Sequence, residues 1–106
     1  MKTVLKAILA VLAFAMVFST WALADSGADT FKAKCAMCHG ADGKGDTGMG
    51  KTLKIRDLGS ADVQSQSDAD LSKIITDGKG KMPKYDGKLT KDQIDDVVKF
   101  IRTLKH

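Results

Sequence analysis

Apolar and polar positions divide the 106-residue chain into an apolar front end and three helical patterns joined by polar, glycine-rich stretches. The clearest pattern comes last. Ile94, Val97, Val98, Ile101 and Leu104 recur at three- and four-residue steps, with Phe100 on the border of the stripe and Asp92, Asp95, Asp96, Lys99 and Arg102 off it. Thr90 and Gln93 have the spacing of a capping box, and Leu89 and Ile94 that of a hydrophobic staple. A second helix is predicted in "SDADLSKIITDGKG". Ser67 is its N-cap, Leu71, Ile74 and Ile75 are its apolar face, and Gly78 is its stop. A third is predicted in "SGADTFKAKCAMCH", with Ser26 as its cap, Asp29 near its positive end and a stop near Gly40. Gly27, Ala28, Phe31, Cys35 and Cys38 fall on one face of it. No segment alternates as a strand would, and no repeat is visible. The predicted class is all-α.

Between these helices the pattern weakens. Residues 40–66 are dense in glycine up to Gly50, and Leu53, Ile55 and Leu58 show little periodicity. The expectation is a loop with at most one short helical turn. A loop of this length usually serves a function or wraps around something. "KGKMPKYDGK" is turn-rich and holds the chain's one proline, Pro83.

The front end reads as a separate element. Lys2 and Lys6 precede an apolar run from Ala7 to Phe18, and Ala22-Leu23-Ala24 has the form of an A-x-A cleavage site. Residues 1–24 are therefore expected to be a secretory signal peptide, with an uncleaved membrane anchor as the alternative. One domain is expected over residues 25–106. Removal of the leader lowers the formal charge from +4 to +2, because Lys2 and Lys6 go with it. No long basic stripe with interleaved aromatics remains, so nucleic acid is not an expected partner. All 13 acidic residues are aspartates, which has no evident physical explanation. Phe31, Tyr85 and Phe100 are the only aromatics after the leader, so a core this small calls for a supplement such as a disulfide or a bound cofactor.

"CAMCHG", residues 35–40, holds both cysteines and one of the two histidines. On a regular helix Cys38 lies about 60° to one side of Cys35 and His39 about 40° to the other. All three side chains share a narrow sector. Two thiols can then bond to adjacent edges of one flat macrocycle while the histidine reaches its central metal, which is why C-x-x-C-H is the haem attachment signature. A thiol–disulfide oxidoreductase places C-x-x-C at a helix start after a strand, and no strand precedes it here. A disulfide between Cys35 and Cys38 would close a tiny loop and constrain little. A zinc site needs four ligands, and the only other histidine is His106.

With "CAMCHG" near the start of the predicted domain, "GKMPKY" late in it and "VVKFIRTL" in the last helix, the chain resembles a small class I cytochrome c over nearly all of residues 25–106. That resemblance implies three main helices and long loops wrapped around one haem c. It implies thioethers from Cys35 and Cys38, His39 as proximal iron ligand and Met82 as distal ligand. It also implies that Gly27 and Phe31 cross the last helix near Phe100. A thioether is soft and uncharged, and Met/His ligation raises the potential. Two protein ligands leave no open position for a substrate. The expected protein is thus not an enzyme but a monomeric, exported electron carrier between larger redox partners. The enzyme alternatives are a thiol–disulfide oxidoreductase and a haem peroxidase with a labile sixth ligand.

Other residues compete for roles. Met49 is a second candidate ligand, but only ten positions after His39; its plainer role is packing at the haem edge. Met37 should point away from the Cys–His sector. Family members often place a proline carbonyl after the motif to accept the proximal histidine's N–H. No proline lies between His39 and Met82, so a backbone carbonyl in residues 47–50 is the expected substitute. Lys79, Lys81, Lys84 and Lys88 suit either an acidic partner or simple solvation. Arg56 and Tyr85 are candidates to bond a haem propionate.

Overall fold

A computed structural model describes residues 26–106, and the predicted export signal over residues 1–24 lies outside them. The described chain is helical. Residues 26–34 form α1, followed by α2 (Ala36–His39), α3 (Gly48–Leu53), α4 (Ala61–Gln64), α5 (Asp68–Asp77) and α6 (Lys91–Thr103). Among the described residues the only β pairing is two isolated bridges, Lys79 with Met82 and Asp86 with Leu89.

Local chemistry accounts for the helix ends. The Thr90 hydroxyl accepts from the Gln93 N–H while the Gln93 side chain accepts from the Thr90 N–H, which completes the capping box of α6. Ser67 accepts from the Asp70 N–H at the start of α5, and Gly78 ends that helix. Gly40, at φ 81°, ends α2 in a conformation that most side chains resist. Residue 26 is already helical, at the start of the described part of α1. The predicted first helix is broken at Cys35, whose φ of −117° separates α1 from α2. The Cys35 N–H still bonds the Phe31 carbonyl, and the His39 N–H bonds that of Cys35.

The glycine-rich connection holds more helix than its sequence suggests. Thr47 caps α3 by accepting from the Gly50 N–H at 2.8 Å, and Lys54 ends it in a left-handed conformation. Val63 anchors the single turn of α4 in the core. Gly50 is buried: a Cβ there would meet the Cys38 carbonyl oxygen at 2.6 Å and would press on that of Gly45. The density of glycine lets this loop lie backbone to backbone against the motif.

Phe31, Val63, Leu71, Ile75, Leu89, Ile94, Val97, Val98 and Ile101 form the core. It joins α1, α5 and α6. Gly27 meets the Asp96 backbone, and the Phe31 and Phe100 rings pack at 5.0 Å. Two polar ties close the far side. Arg102 donates to the Gln64 and Gln66 carbonyls and to Asp68, fastening the α4–α5 connection to α6. Gln64 in turn donates to the carbonyls of Leu58 and Ile101. His106 pairs with Asp57 at 2.7 Å, and its N–H reaches the Gly59 carbonyl. None of these was evident from periodicity, because each joins residues distant in sequence.

Candidate haem-binding site

The core helices do not meet everywhere. A recess of about 360 Å³ opens between them, walled by Phe31, Leu58, Val63, Leu71, Ile75, Val97 and Ile101. A second recess of about 170 Å³ is lined by Cys38, Leu53, Ile55, Pro83 and Tyr85 among others. Both share Cys35, His39, Lys79 and Met82. They are two parts of one cleft.

The sequence motif therefore lands on the cleft as a unit. Cys35, Cys38 and His39 arrive from the α1–α2 break and α2. Met82 arrives separately, on the turn after α5, where its N–H and carbonyl pair with Lys79. Met37 is 78 % exposed and Met49 47 % exposed. Met49 lines neither part of the cleft, so the fold brings Met82 to the cleft and leaves Met49 outside. Arg56 lies on the rim. The Tyr85 hydroxyl donates to the Lys34 carbonyl at 2.9 Å and is thus already engaged.

The electrostatics bear on the first of the two thiols. Both cysteines are free. Burial, with a smaller contribution from Cys38, pushes the Cys35 thiol up to about 11. A thiol that exchanges disulfides needs a depressed value to supply thiolate at neutral pH. The direction here is the opposite. Among the described residues no group of three His, Cys, Asp or Glu side chains is placed to hold a metal ion. Burial also lowers the His39 value, which favours the neutral imidazole that binds metals.

His39 carries the test of fit. Its Nδ1 is buried with no hydrogen-bond partner. The backbone acceptor expected in residues 47–50 is not in place: the Thr47 hydroxyl donates to the Cys38 carbonyl at 2.8 Å, and the His39 carbonyl accepts from the Gly45 N–H. A buried polar atom without a protein partner is costly unless something else engages it. A flat apolar group carrying a metal, tethered at Cys35 and Cys38, meets every feature of the cleft: apolar walls, two unpaired thiols, a neutral imidazole and a thioether.

Comparison with known proteins agrees with this geometry. Residues 22–101 match the family described as cytochrome c oxidase, cbb3-type, subunit III. The chain is 40 % identical to a cytochrome c6 of Nostoc sp. over 89 % of its length and 85 % of the relative's. It is 34 % identical to a cytochrome c6 of Gloeothece citriformis over 94 % and 91 %. A solved c-type cytochrome, KustC0563, superimposes with a TM-score of 0.70 at 29 % identity, covering 76 % of this chain and 98 % of that one. Motif, cleft and relatives converge: the chain belongs to the class I cytochrome c family, small electron-transfer proteins that carry one covalently bound haem c.

Proposed function

We propose that this chain is an exported one-electron carrier in which Cys35 and Cys38 would tether the haem and His39 and Met82 would hold its iron. The observation that carries this reading is the convergence of these four residues, from two distant segments, on one apolar cleft. The haem supplies one-electron redox chemistry when bound.

The protein's residues do the rest. Cys35 and Cys38 hold the group by covalent bonds, so a small core does not have to retain it by packing alone. His39 offers a neutral nitrogen. Met82 offers a soft, uncharged sulfur, which favours the reduced state relative to a second nitrogen. Phe31, Val63, Leu71, Ile75 and Val97 exclude water from the walls, which further disfavours the more charged oxidised state. With His39 and Met82 both engaged by the haem, the protein would leave no open position for a substrate.

The partner is a larger redox protein with an acidic docking face. Lys54, Arg56, Lys79 and Lys81 line the cleft, and Lys79 and Lys81 are exposed on the Met82 turn. Charge complementarity of this kind raises the encounter rate and weakens with salt. The carrier acts as a monomer. Residues 1–24 direct export, and cleavage after Ala24 releases the domain.

Acid–acetone extraction of the purified protein tests the tether. Pigment should stay with the polypeptide in the wild type and be lost from the Cys35→Ala, Cys38→Ala double variant. Free extraction from the wild type would refute the tether. The intact mass reports both the added haem and removal of residues 1–24.

A further inference from the structure

The turn bearing Met82 is tied to α5 on one side: the Tyr85 N–H bonds the Ile75 carbonyl and the Asp86 N–H that of Thr76. On the other side it must be held against the segment that bears Cys35, Cys38 and His39. Among the described residues one hydrogen bond spans residues 79–86 and residues 31–40, from the Tyr85 hydroxyl to the Lys34 carbonyl at 2.9 Å. Lys34 is the residue before Cys35, at the break between α1 and α2, where the carbonyl ladder is interrupted and an acceptor is open. Tyr85 lines the same recess as Cys35, Cys38, His39 and Met82, and the Lys88 ammonium lies 5.9 Å from its ring centre.

We propose that Tyr85 is a positioning residue: its hydroxyl straps the Met82 turn to the helix break carrying Cys35 and so holds the sulfur in the cleft beside His39. This rests on the reading of Met82 as distal ligand. Met82 is three residues from Tyr85, and the Lys79–Met82 pairing makes that turn a short rigid unit. A strap at Tyr85 therefore restrains the sulfur, while its loss frees the turn to swing about the end of α5 at Gly78. The strap acts through Met82 and makes no demand on the reacting group itself.

The test is imidazole binding to the oxidised holoprotein, followed by its visible spectrum, because imidazole must displace the sulfur. Loss of one net hydrogen bond corresponds to about a fivefold shift between closed and open turn. Tyr85→Phe should therefore bind imidazole about fivefold more tightly than wild type by that arithmetic, with unchanged far-UV helicity. O-methyltyrosine at this position, which keeps ring and oxygen but cannot donate, should match Tyr85→Phe. 4-Aminophenylalanine, which can donate, should restore wild-type binding. In a Met82→Ala background Tyr85→Phe should have no effect, since nothing is left to position. Wild-type imidazole affinity in Tyr85→Phe or the O-methyl variant overturns the proposal, as does a Tyr85→Phe effect that persists without Met82. If Met82→Ala itself binds imidazole no more tightly than wild type, the ligand assignment fails, and the strap with it.

Discussion

Replacing Gly27 by alanine sets two physical effects of opposite sign against each other. Alanine is favoured over glycine within a helix by about 0.8–1.0 kcal/mol, so intrinsic propensity alone predicts a more stable protein. The helix crossing predicts the reverse. A Cβ at position 27 would lie 2.9 Å from the Asp96 carbonyl carbon and closer still to its oxygen. Both are backbone atoms of α6 and cannot rotate away. Restoring ordinary contact requires α1 to withdraw by roughly 1 Å, given carbon contacts near 3.5–4 Å. That movement also loosens Phe31 from Phe100, now 5.0 Å apart. Overpacking costs about 1–3 kcal/mol, and a rigid obstruction belongs in the upper half of that range. After the propensity gain, the net loss is about 1–2 kcal/mol. For a domain of this size it lowers Tm by roughly 5–15 °C. Thermal melting of the holoprotein by far-UV circular dichroism is the assay. Gly48→Ala is the control: nothing lies within 4 Å of a Cβ there, so its Tm should hold or rise slightly. A Tm for Gly27→Ala at or above wild type would refute the close crossing as the reason for glycine.

Two further predictions concern the polar ties. Arg102→Met keeps the aliphatic stem but leaves the Gln64 and Gln66 carbonyls without their charged donor, which should cost about 2–3 kcal/mol in urea unfolding. Asp68→Ala breaks the ion pair, whose carboxylate is 75 % exposed, and should cost under about 1 kcal/mol; equal losses would contradict this division. The Asp57 carboxyl is held below its ordinary range by the Gly59 N–H first and by His106 second. A depressed carboxyl stabilises the fold above its unfolded value, and that contribution is lost as pH falls through the folded one. The stability gap between wild type and Asp57→Asn should therefore be constant above about pH 5, where an unfolded Asp is almost fully ionised, and close as pH falls below that. A gap that does not narrow at low pH would refute the assignment to the Asp57 carboxyl.

Legibility followed the range of the interaction. The capping box at Thr90 and Gln93, the Ser67 cap and the Gly78 stop are local, and each appears where the sequence places it. α3 was not legible, because glycine opens it and its cap, Thr47, lies in a stretch that reads as loop. The break at Cys35 was also hidden. A periodic face says where side chains point, not whether one peptide departs from helical geometry. The C-x-x-C-H signal was readable because its chemistry requires three residue types at one short spacing. The acceptor expected for His39 was not found, since which carbonyl faces a ring depends on how a loop folds back.

What the sequence determined by itself is the helical class, three principal helix patterns and the attachment motif. Each depends on residues within about one or two helical turns, where covalent connection limits the choices. The resemblance carried by "GKMPKY" singles out Met82 over Met49, and only the tertiary structure decided what seats it in the cleft with His39. Met82 and Met49 are alike as isolated loop thioethers. The end of α5, the Lys79–Met82 pairing and the Tyr85 bond to Lys34 carry one of them into the cleft. The Thr47 cap and the packing of Gly50 on Cys38 leave the other outside. The Tyr85 bond to Lys34 joins residues 51 positions apart, and no local pattern records a contact of that range.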